Sequence, residues 1–446
     1  MRRAPLAAAA LLGCASEDFG RLTRPEPAPG LPNVLLVSID TLRADALHHA
    51  GYARETSPAL DRLAAQGATF TRVWAQAPST SPTHASMFTG RLVHEHGVLG
   101  YEQHLDAGWT TLAEHLRGSG YRTWAVTSSV RFHPDIQLDQ GFERYAVNDS
   151  KRQGPRGDQS VSLALDELAA EPGAPFFGFV HLMDVHAPYA PPEPHRSRFL
   201  QGEPRVKPRK TVGYIRRNQG SPARTTPEEL HDLRALYDGG VSYVDTRMDA
   251  LLAAVDALPG PTIVMVTADH GEGFHENGYL GHSNVLWDEV VRVPWIVRAP
   301  GVAAGLRLDV PAQTVDLMPT LCGLLGLPAP AGLPGADLSG ALRGGAGPGP
   351  RDLLLLSPSR WGVVRDTPDG LFKLIVPVAT GQASLHQIGG EHRERARAQG
   401  RHPALYDDLK ASLAHLDLRD PHRNSQARPE LGDDELQALR ELGYVD

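Results

Sequence analysis

Short, unbroken apolar runs recur along the chain at Asn33–Ile39, Thr123–Val126, Phe176–Val180, Thr262–Val266 and Pro294–Val297. A run with no polar alternation predicts a strand covered on both faces, as in a parallel sheet. Between these runs the apolar residues return at helical spacing. Tyr237–Leu258 carries Val241, Val244, Met248, Leu251, Leu252 and Val255 on one stripe, which predicts a long amphipathic helix. Thr56–Ala64 has a capping hydroxyl, Pro58 in its first turn and Gly67 as a stop, which predicts a short one. Strands alternating with helices predict an α/β layered fold around a mostly parallel sheet. Beyond residue 345 the texture changes. Asp352–Ser357, Gly362–Arg365 and Leu371–Val376 predict short strands, close in sequence, in an antiparallel sheet. The predicted organisation is therefore a main α/β domain over residues 33–345 and a smaller α+β subdomain over 346–446.

Composition narrows the class of protein. The 446 residues allow one large or two ordinary domains, and 41% hydrophobic with 22% charged residues is ordinary for a soluble globular chain. A net charge of -8 gives no ground for a nucleic-acid partner. Met1-Arg2-Arg3 is positive, and Ala4–Leu12 is apolar but short of the roughly 20 residues that a membrane-spanning helix needs. Residues 1–14 are expected to be a secretory signal. Leu11-Leu12-Gly13-Cys14 resembles a bacterial lipobox, so Cys14 is the expected lipidation site. Residues 15–32, with Pro25, Pro27, Pro29 and Pro32, are the expected tether. The corresponding location is the bacterial cell envelope, as a periplasmic or outer-membrane lipoprotein held to the membrane by its lipid. Cys322 lies in an apolar run and is expected to be a buried thiol. Residues 190–224 hold nine Lys and Arg against two Glu. They are expected to form a solvated loop, with a lid or a contact to anionic substrate as the alternative.

Candidate chemistry clusters where the apolar runs end. Asp40 follows the first run. His181, Asp184 and His186 follow the Phe176 run. Asp269 and His270 follow the Thr262 run, with His275 and His282 shortly after. Sites in open α/β sheets form outside the carboxyl ends of strands. Carboxylate and imidazole donors without thiolate suit zinc, manganese, calcium or magnesium. Within Ala77–Arg91, Pro82 and Gly90 bracket a helix and put Thr80 or Ser81 at its N-terminus. Free N–H groups and the helix dipole favour an anion there, and a hydroxyl so placed can be activated by a metal. Taken alone, this segment is better explained by a plain N-capping hydroxyl.

Taken together, the motifs are more specific. Asn33–Asp45 looks like the opening strand of sulfatases. Thr80-x-Pro82-x-His84, running into Thr89-Gly90-Arg91, is similar to the sulfatase signature Cys/Ser-x-Pro-x-Arg followed by Thr-Gly-Arg. Asp184–Tyr189 resembles that family's Asp-Pro-His-x-Pro-Tyr, and Thr267–Glu272 resembles its late metal motif. Val315–Leu321 and Leu418–Asn424 resemble later landmarks of the family. The resemblance implies an alkaline-phosphatase-like sandwich. It also implies a divalent cation, zinc, manganese or calcium, present as one ion or two. Asp40, Asp269 and His270 would bind the cation, with the Thr80 oxygen completing the site. Thr80 would be the nucleophile. His186 and His282 would hold the anionic ester or a second metal, as in phosphoethanolamine transferases, and would share in catalysis. His84 and His181 are further substrate-binding candidates, and His181 reads equally as a packing residue.

The sequence departs from that family at three places. Typical sulfatases have two adjacent Asp where this chain has Asp40-Thr41. Their Lys-Trp-His segment is absent near Tyr121–Pro134, where Arg131 and His133 are the substitutes on offer. Thr80 replaces the Cys or Ser that is converted to formylglycine, and His84 replaces the Arg that the conversion requires. Thr80 cannot supply an aldehyde hydrate, and a sulfated Thr80 would lack the spare hydroxyl that expels sulfate. A phosphorylated Thr80 can be resolved by water or by an acceptor alcohol. The expected activity is therefore metal-dependent hydrolysis of sulfate- or phosphate-type esters, with phosphoesters, phosphodiesters or phosphonates favoured over sulfate esters. The alternatives are an envelope phospho-group transferase and an inactive, sulfatase-like binding module. Ser81 is the minor alternative nucleophile.

Overall fold

A computed structural model describes residues 24–148, 156–171, 173–389, 394–395, 398–414, 416, 425–427 and 437. Cys14, the signal segment, the first part of the tether and the Leu418–Asn424 motif lie outside the described residues.

The main sheet has eight strands. In chain order they are β1 (Asn33–Ile39), β2 (Ala68–Trp74), β3 (Arg122–Thr127), β4 (Arg144–Val147), β5 (Phe176–Leu182), β6 (Thr262–Thr267), β7 (Trp295–Arg298) and β8 (Leu306–Gln313). Their spatial order is β8-β2-β7-β6-β1-β5-β3-β4. Only β7 runs antiparallel to its neighbours β2 and β6; the other pairings are parallel. The predicted runs are the central strands, buried on both faces as their unbroken apolar character requires. The unpredicted strands β4 and β8 lie at the sheet edges and are partly exposed, so their sequences mix polar with apolar residues. Strand β2 was also unpredicted, and Thr69, Thr71 and Arg72 interrupt its apolar pattern. Gly178 in β5 makes room for the Trp124 indole, with which a Cβ at that position would collide.

Among the described residues, the sheet is flanked by helices α1 (Pro58–Gln66), α2 (Thr80–Thr89), α3 (Leu112–Gly118), α4 (Gly157–Ala169), α5 (Pro227–Asp256) and α6 (Leu317–Leu325). Helices α1 and α4 pack on α5, whereas α2 packs with α3 and α6. The sequence stripe predicted α5 from Tyr237, but the helix begins at Pro227. Thr226 starts it with a capping box: its hydroxyl accepts from Glu229 N–H at 3.1 Å, and Glu229 Oε2 accepts from Thr226 N–H at 2.9 Å. None of the described helices is long and apolar enough to cross a membrane.

The second sheet is an antiparallel meander of β9 (Leu353–Ser357), β10 (Arg360–Thr367), β11 (Gly370–Pro377), β12 (Ser384–Ile388) and β13 (Glu394–Arg395). Its apolar faces share clusters with Ala77, Val93 and Leu99 and with Trp74, Leu286 and Val291, so it is packed onto the main body. The solvated-loop expectation for 190–224 fails in part. Thr211–Asn218 is helical and buries Thr211, Ile215 and Asn218. Ile215 lies against Gly281, and Gln219 Nε2 donates to His282 O at 3.5 Å. Cys322 is a buried free thiol, pushed up to about 11 chiefly by burial.

Candidate active site

Strand register assembles the site. Ser38 of β1 pairs with His181 of β5 on one side and with Thr267 of β6 on the other. The residues that leave the ends of these parallel strands, Asp40 and Asp269 with His270, therefore arrive at one edge beside His181. Helix α2 brings Thr80 to the same edge as its first residue, with Ser79 at the cap and Gly90 closing it in a left-handed conformation. Thr80 Oγ1 lies 3.4 Å from Asp40 Oδ2. The Ser81 hydroxyl turns instead to Arg131 O at 3.5 Å.

Asp40, Thr80, His181, Asp269 and His270 are all essentially closed to solvent. His270 Nε2 is 3.8 Å from Asp40 Oδ1 and 3.5 Å from Asp269 Oδ2. Its Nδ1–H donates to Gly271 O at 3.0 Å, which leaves Nε2 facing the carboxylates. Burial is the largest influence on His270 and lowers its pKa, but Asp269 and Asp40 outweigh it and the net shift is upward. His181 Nε2 is 3.2 Å from Asp40 Oδ2. Asp40 Oδ1, His181 Nε2, Asp269 Oδ2 and His270 Nε2 are buried without a hydrogen-bond partner among the described residues. Four orphaned donor atoms in one closed space are costly unless something pairs them. Close groupings of Asp40, Asp269 and His270, and of His84, His181 and Asp269, have the spacing of a cation's ligands. The donor set fits a divalent cation.

Thr41 occupies the position of the second family carboxylate, and it does not point an oxygen at this centre. Its hydroxyl donates back to Asp40 O at 2.7 Å, while its N–H donates to Asp269 Oδ1 at 3.2 Å. Its φ of 58° is strained for a β-branched residue. Tyr237 steadies the turn by donating to Thr41 O at 2.9 Å and accepting from Arg43 N–H at 3.0 Å.

His186 and His282 form a second group, with ring centroids 5.0 Å apart, and His282 is 4.4 Å from the His270 ring. His186 Nδ1–H donates to Ala187 O at 2.5 Å. His282 Nδ1–H donates to Glu272 Oε1 at 2.9 Å, and Tyr189 OH donates to Glu272 Oε2 at 2.8 Å. Burial holds His186 down at about 4. Burial, followed by the neighbouring His270, holds His282 well below the usual imidazole range, with Arg131 adding to the effect.

Several sequence assignments need correction. His84 was a substrate-binding candidate, but its ring is sealed and both nitrogens are used: Nδ1–H donates to Thr80 O at 2.8 Å, and Nε2 accepts from Ser38 Oγ at 2.9 Å. It holds the Thr80 backbone and has no face left for a substrate. Burial takes it down to about 3. His181, also a substrate candidate, stands with the carboxylates. Asp184 accepts from Arg156 N–H at 2.6 Å at the start of α4, and His275 meets Thr225 Oγ1 at 3.2 Å; neither belongs to the close ligand groups around Asp269. His133 is half-buried and paired with Asp135 at 3.2 Å, whereas Arg131 is buried, its guanidinium 5.0 Å from the Tyr101 ring. Glu272 and Tyr189 lay within the quoted motifs, but nothing in their spacing showed that they orient His282.

Residues 32–327 match the family model described as Sulfatase. An ulvan-active sulfatase of Formosa agariphila is 26% identical over 361 residues, covering 74% of this chain and 68% of that protein. A Delta 4,5-hexuronate-2-O-sulfatase of Bacteroides thetaiotaomicron is 24% identical over 350 residues, covering 70% of this chain and 72% of that protein. A phosphonate monoester hydrolase of Agrobacterium radiobacter superposes with a TM-score of 0.70 at 22% identity, covering 90% of this chain and 98% of that one. The structural likeness shows the fold, an alkaline-phosphatase-like sheet with a C-terminal antiparallel sheet.

Proposed function

The chain belongs to the sulfatase family of hydrolases, and from that membership we propose that it is a divalent-cation-dependent hydrolase of phosphorus esters with Thr80 as nucleophile. The observation that carries this reading is the Thr80 hydroxyl, 3.4 Å from Asp40 Oδ2 and beside a closed set of unpaired carboxylate and imidazole atoms. Asp40, Asp269 and His270 would hold the cation, with Thr80 Oγ1 completing the set. When bound, the cation supplies a Lewis acid that lowers the pKa of an adjacent hydroxyl and offsets charge on a phosphoryl group. Thr41 removes one carboxylate from the family's set, which favours zinc or manganese over calcium.

Thr80 Oγ1 forms a bond to phosphorus as the bond from phosphorus to the leaving oxygen breaks, and the hydroxyl proton ends on the departing alcohol. Water then attacks the phosphothreonine phosphorus, and Thr80 Oγ1 departs with a proton from that water. His84 keeps the Thr80 turn in place through its bond to the Thr80 carbonyl. His186 and His282 each have Nδ1–H committed to a protein oxygen, so each would donate to an anionic ester from Nε2 only once that nitrogen takes up a proton. The names of the relatives span sulfate and phosphonate esters, so the choice of phosphorus rests on Thr80: a phosphothreonine has a hydrolytic exit, whereas a sulfothreonine has no second hydroxyl to expel sulfate.

Protein reconstituted with zinc or manganese should be assayed side by side on aryl sulfate, aryl phosphate, bis-aryl phosphate and aryl phosphonate. Turnover is expected on a phosphorus ester. Thr80→Ala should abolish it while the fold and the cation content remain. Full activity in Thr80→Ala, or turnover of aryl sulfate alone, overturns the reading.

A further inference from the structure

We propose that His181 supplies a nitrogen ligand to the cation held by Asp40 and Asp269, taking over from the second carboxylate that typical sulfatases carry at the position of Thr41. This rests on the cation-dependent reading above and names a ligand that the sequence motifs did not. Thr41 cannot serve, because its hydroxyl is turned back onto Asp40 O at 2.7 Å and its backbone sits at φ 58°. His181 comes from the neighbouring strand instead. It ends up beside Asp40 because it is in register with Ser38, two residues earlier on β1.

The hydrogen bonds around the imidazole decide its role. Ser128 Oγ donates to His181 O at 2.7 Å, so its own lone pairs face His181 Nδ1, 3.5 Å away. The proton is therefore on Nδ1 and the lone pair on Nε2, the arrangement that supports a metal-binding histidine. That Nε2 stands 3.2 Å from Asp40 Oδ2, fully buried, with no hydrogen-bond partner among the described residues. Two buried acceptor atoms at this distance repel unless a positive charge lies between or beside them. His181 also forms a close group with Asp269 and His84, in which one ligand atom from each lies within 4.8 Å of the others, a span close to the roughly 3–4 Å that separates ligands lying about 2.0–2.2 Å from a shared ion. His84 provides the contrast. It belongs to the same close group, yet both its ring nitrogens are bonded to protein oxygens, so it has no lone pair to offer. The resulting donor set, two carboxylates and two imidazoles, suits zinc or manganese better than calcium.

The test compares the full chain with His181→Ala, His181→Gln and Asp269→Ala. Zinc content is measured by elemental analysis after competition with a chelator, and the visible spectrum is recorded after loading with cobalt(II). His181→Ala should weaken zinc retention by at least roughly tenfold, the loss seen for groups that merely support ligands, and should alter the cobalt spectrum. Native zinc retention and an unchanged spectrum in His181→Ala, with the ion lost in Asp269→Ala, overturn this inference alone. Zinc retained equally in both variants overturns the wider cation reading as well. Should His181→Ala not fold, His181→Gln, which keeps most of the side-chain volume, is read against the same outcomes.

Discussion

Lys373 sits at the seam between the second sheet and the main body, and removing its charge should expose how the two are joined. Its Nζ donates to Leu286 O at 2.8 Å, to Asp288 Oδ1 at 2.6 Å and to Glu394 Oε1 at 2.6 Å. All three charged side chains are sealed from solvent. Asp288 is also held by Trp74 Nε1 at 3.0 Å, and Glu394 Oε1 accepts from Asp288 N–H at 2.9 Å. Lys373→Met keeps the length of the side chain but leaves two carboxylates buried against each other. Breaking a buried pair in this way costs about 3–5 kcal/mol, a large share of the roughly 5–15 kcal/mol by which a domain is stable. The pH dependence has a definite sign. Burial, with the neighbouring Asp288, raises the Glu394 pKa, while Lys373 restrains it. Stability from Glu394 is therefore full below its unfolded value near 4.5 and is lost as pH rises through its folded value. Without Lys373 that folded value moves higher, so the variant goes on losing stability after the native protein has stopped. The gap should be wider at pH 8 than at pH 6. Equilibrium urea unfolding, followed by the fluorescence of buried Trp74 and Trp361, measures it. A loss under about 1 kcal/mol at pH 8, or a gap that narrows with rising pH, would refute the argument.

Two further outcomes are expected. Burial, then the nearby Glu276 carboxylate, pushes Glu289 up to about 7, so the stability it contributes is present below its unfolded value and lost as pH rises through about 7. Glu289→Gln keeps an acceptor for Asn277 and should be about 2–3 kcal/mol more stable than the native protein at pH 8, converging with it towards pH 5; thermal unfolding at the two pH values checks this, and equal melting at pH 8 counts against it. His84→Ala should cost about 3 kcal/mol of stability through the cavity it leaves and should lower kcat through a loosened Thr80, with zinc content unchanged. Elemental analysis decides that last point, since loss of zinc would make His84 a ligand and not a support for the Thr80 turn.

Residue type and local periodicity determined a good deal of this protein. The apolar runs located the central strands β1, β3, β5, β6 and β7, and Pro82 with Gly90 located α2 and put Thr80 or Ser81 at its start. Asp40, Asp269 and His270 could be read as a group because each follows the end of such a run. Partly exposed edge strands escaped, since their polar residues break the pattern on which prediction depends. The start of α5 escaped because the predicted stripe opened only at Tyr237, although Thr226-Pro227-Glu228-Glu229 carries the capping signal.

The roles of the histidines were decided only by the tertiary structure. An imidazole has two nitrogens, and whether either can meet a cation or a substrate depends on which one a neighbour has already claimed. For His84 the neighbours are Ser38 and Thr80, for His181 they are Ser128 and Asp40, and for His282 the neighbour is Glu272. Most of these partners come from distant parts of the chain, brought together by strand register and by packing of the sheet against its helices. The chain order records which groups are available, and the hydrogen-bond directions that assign their work exist only once those strands are side by side.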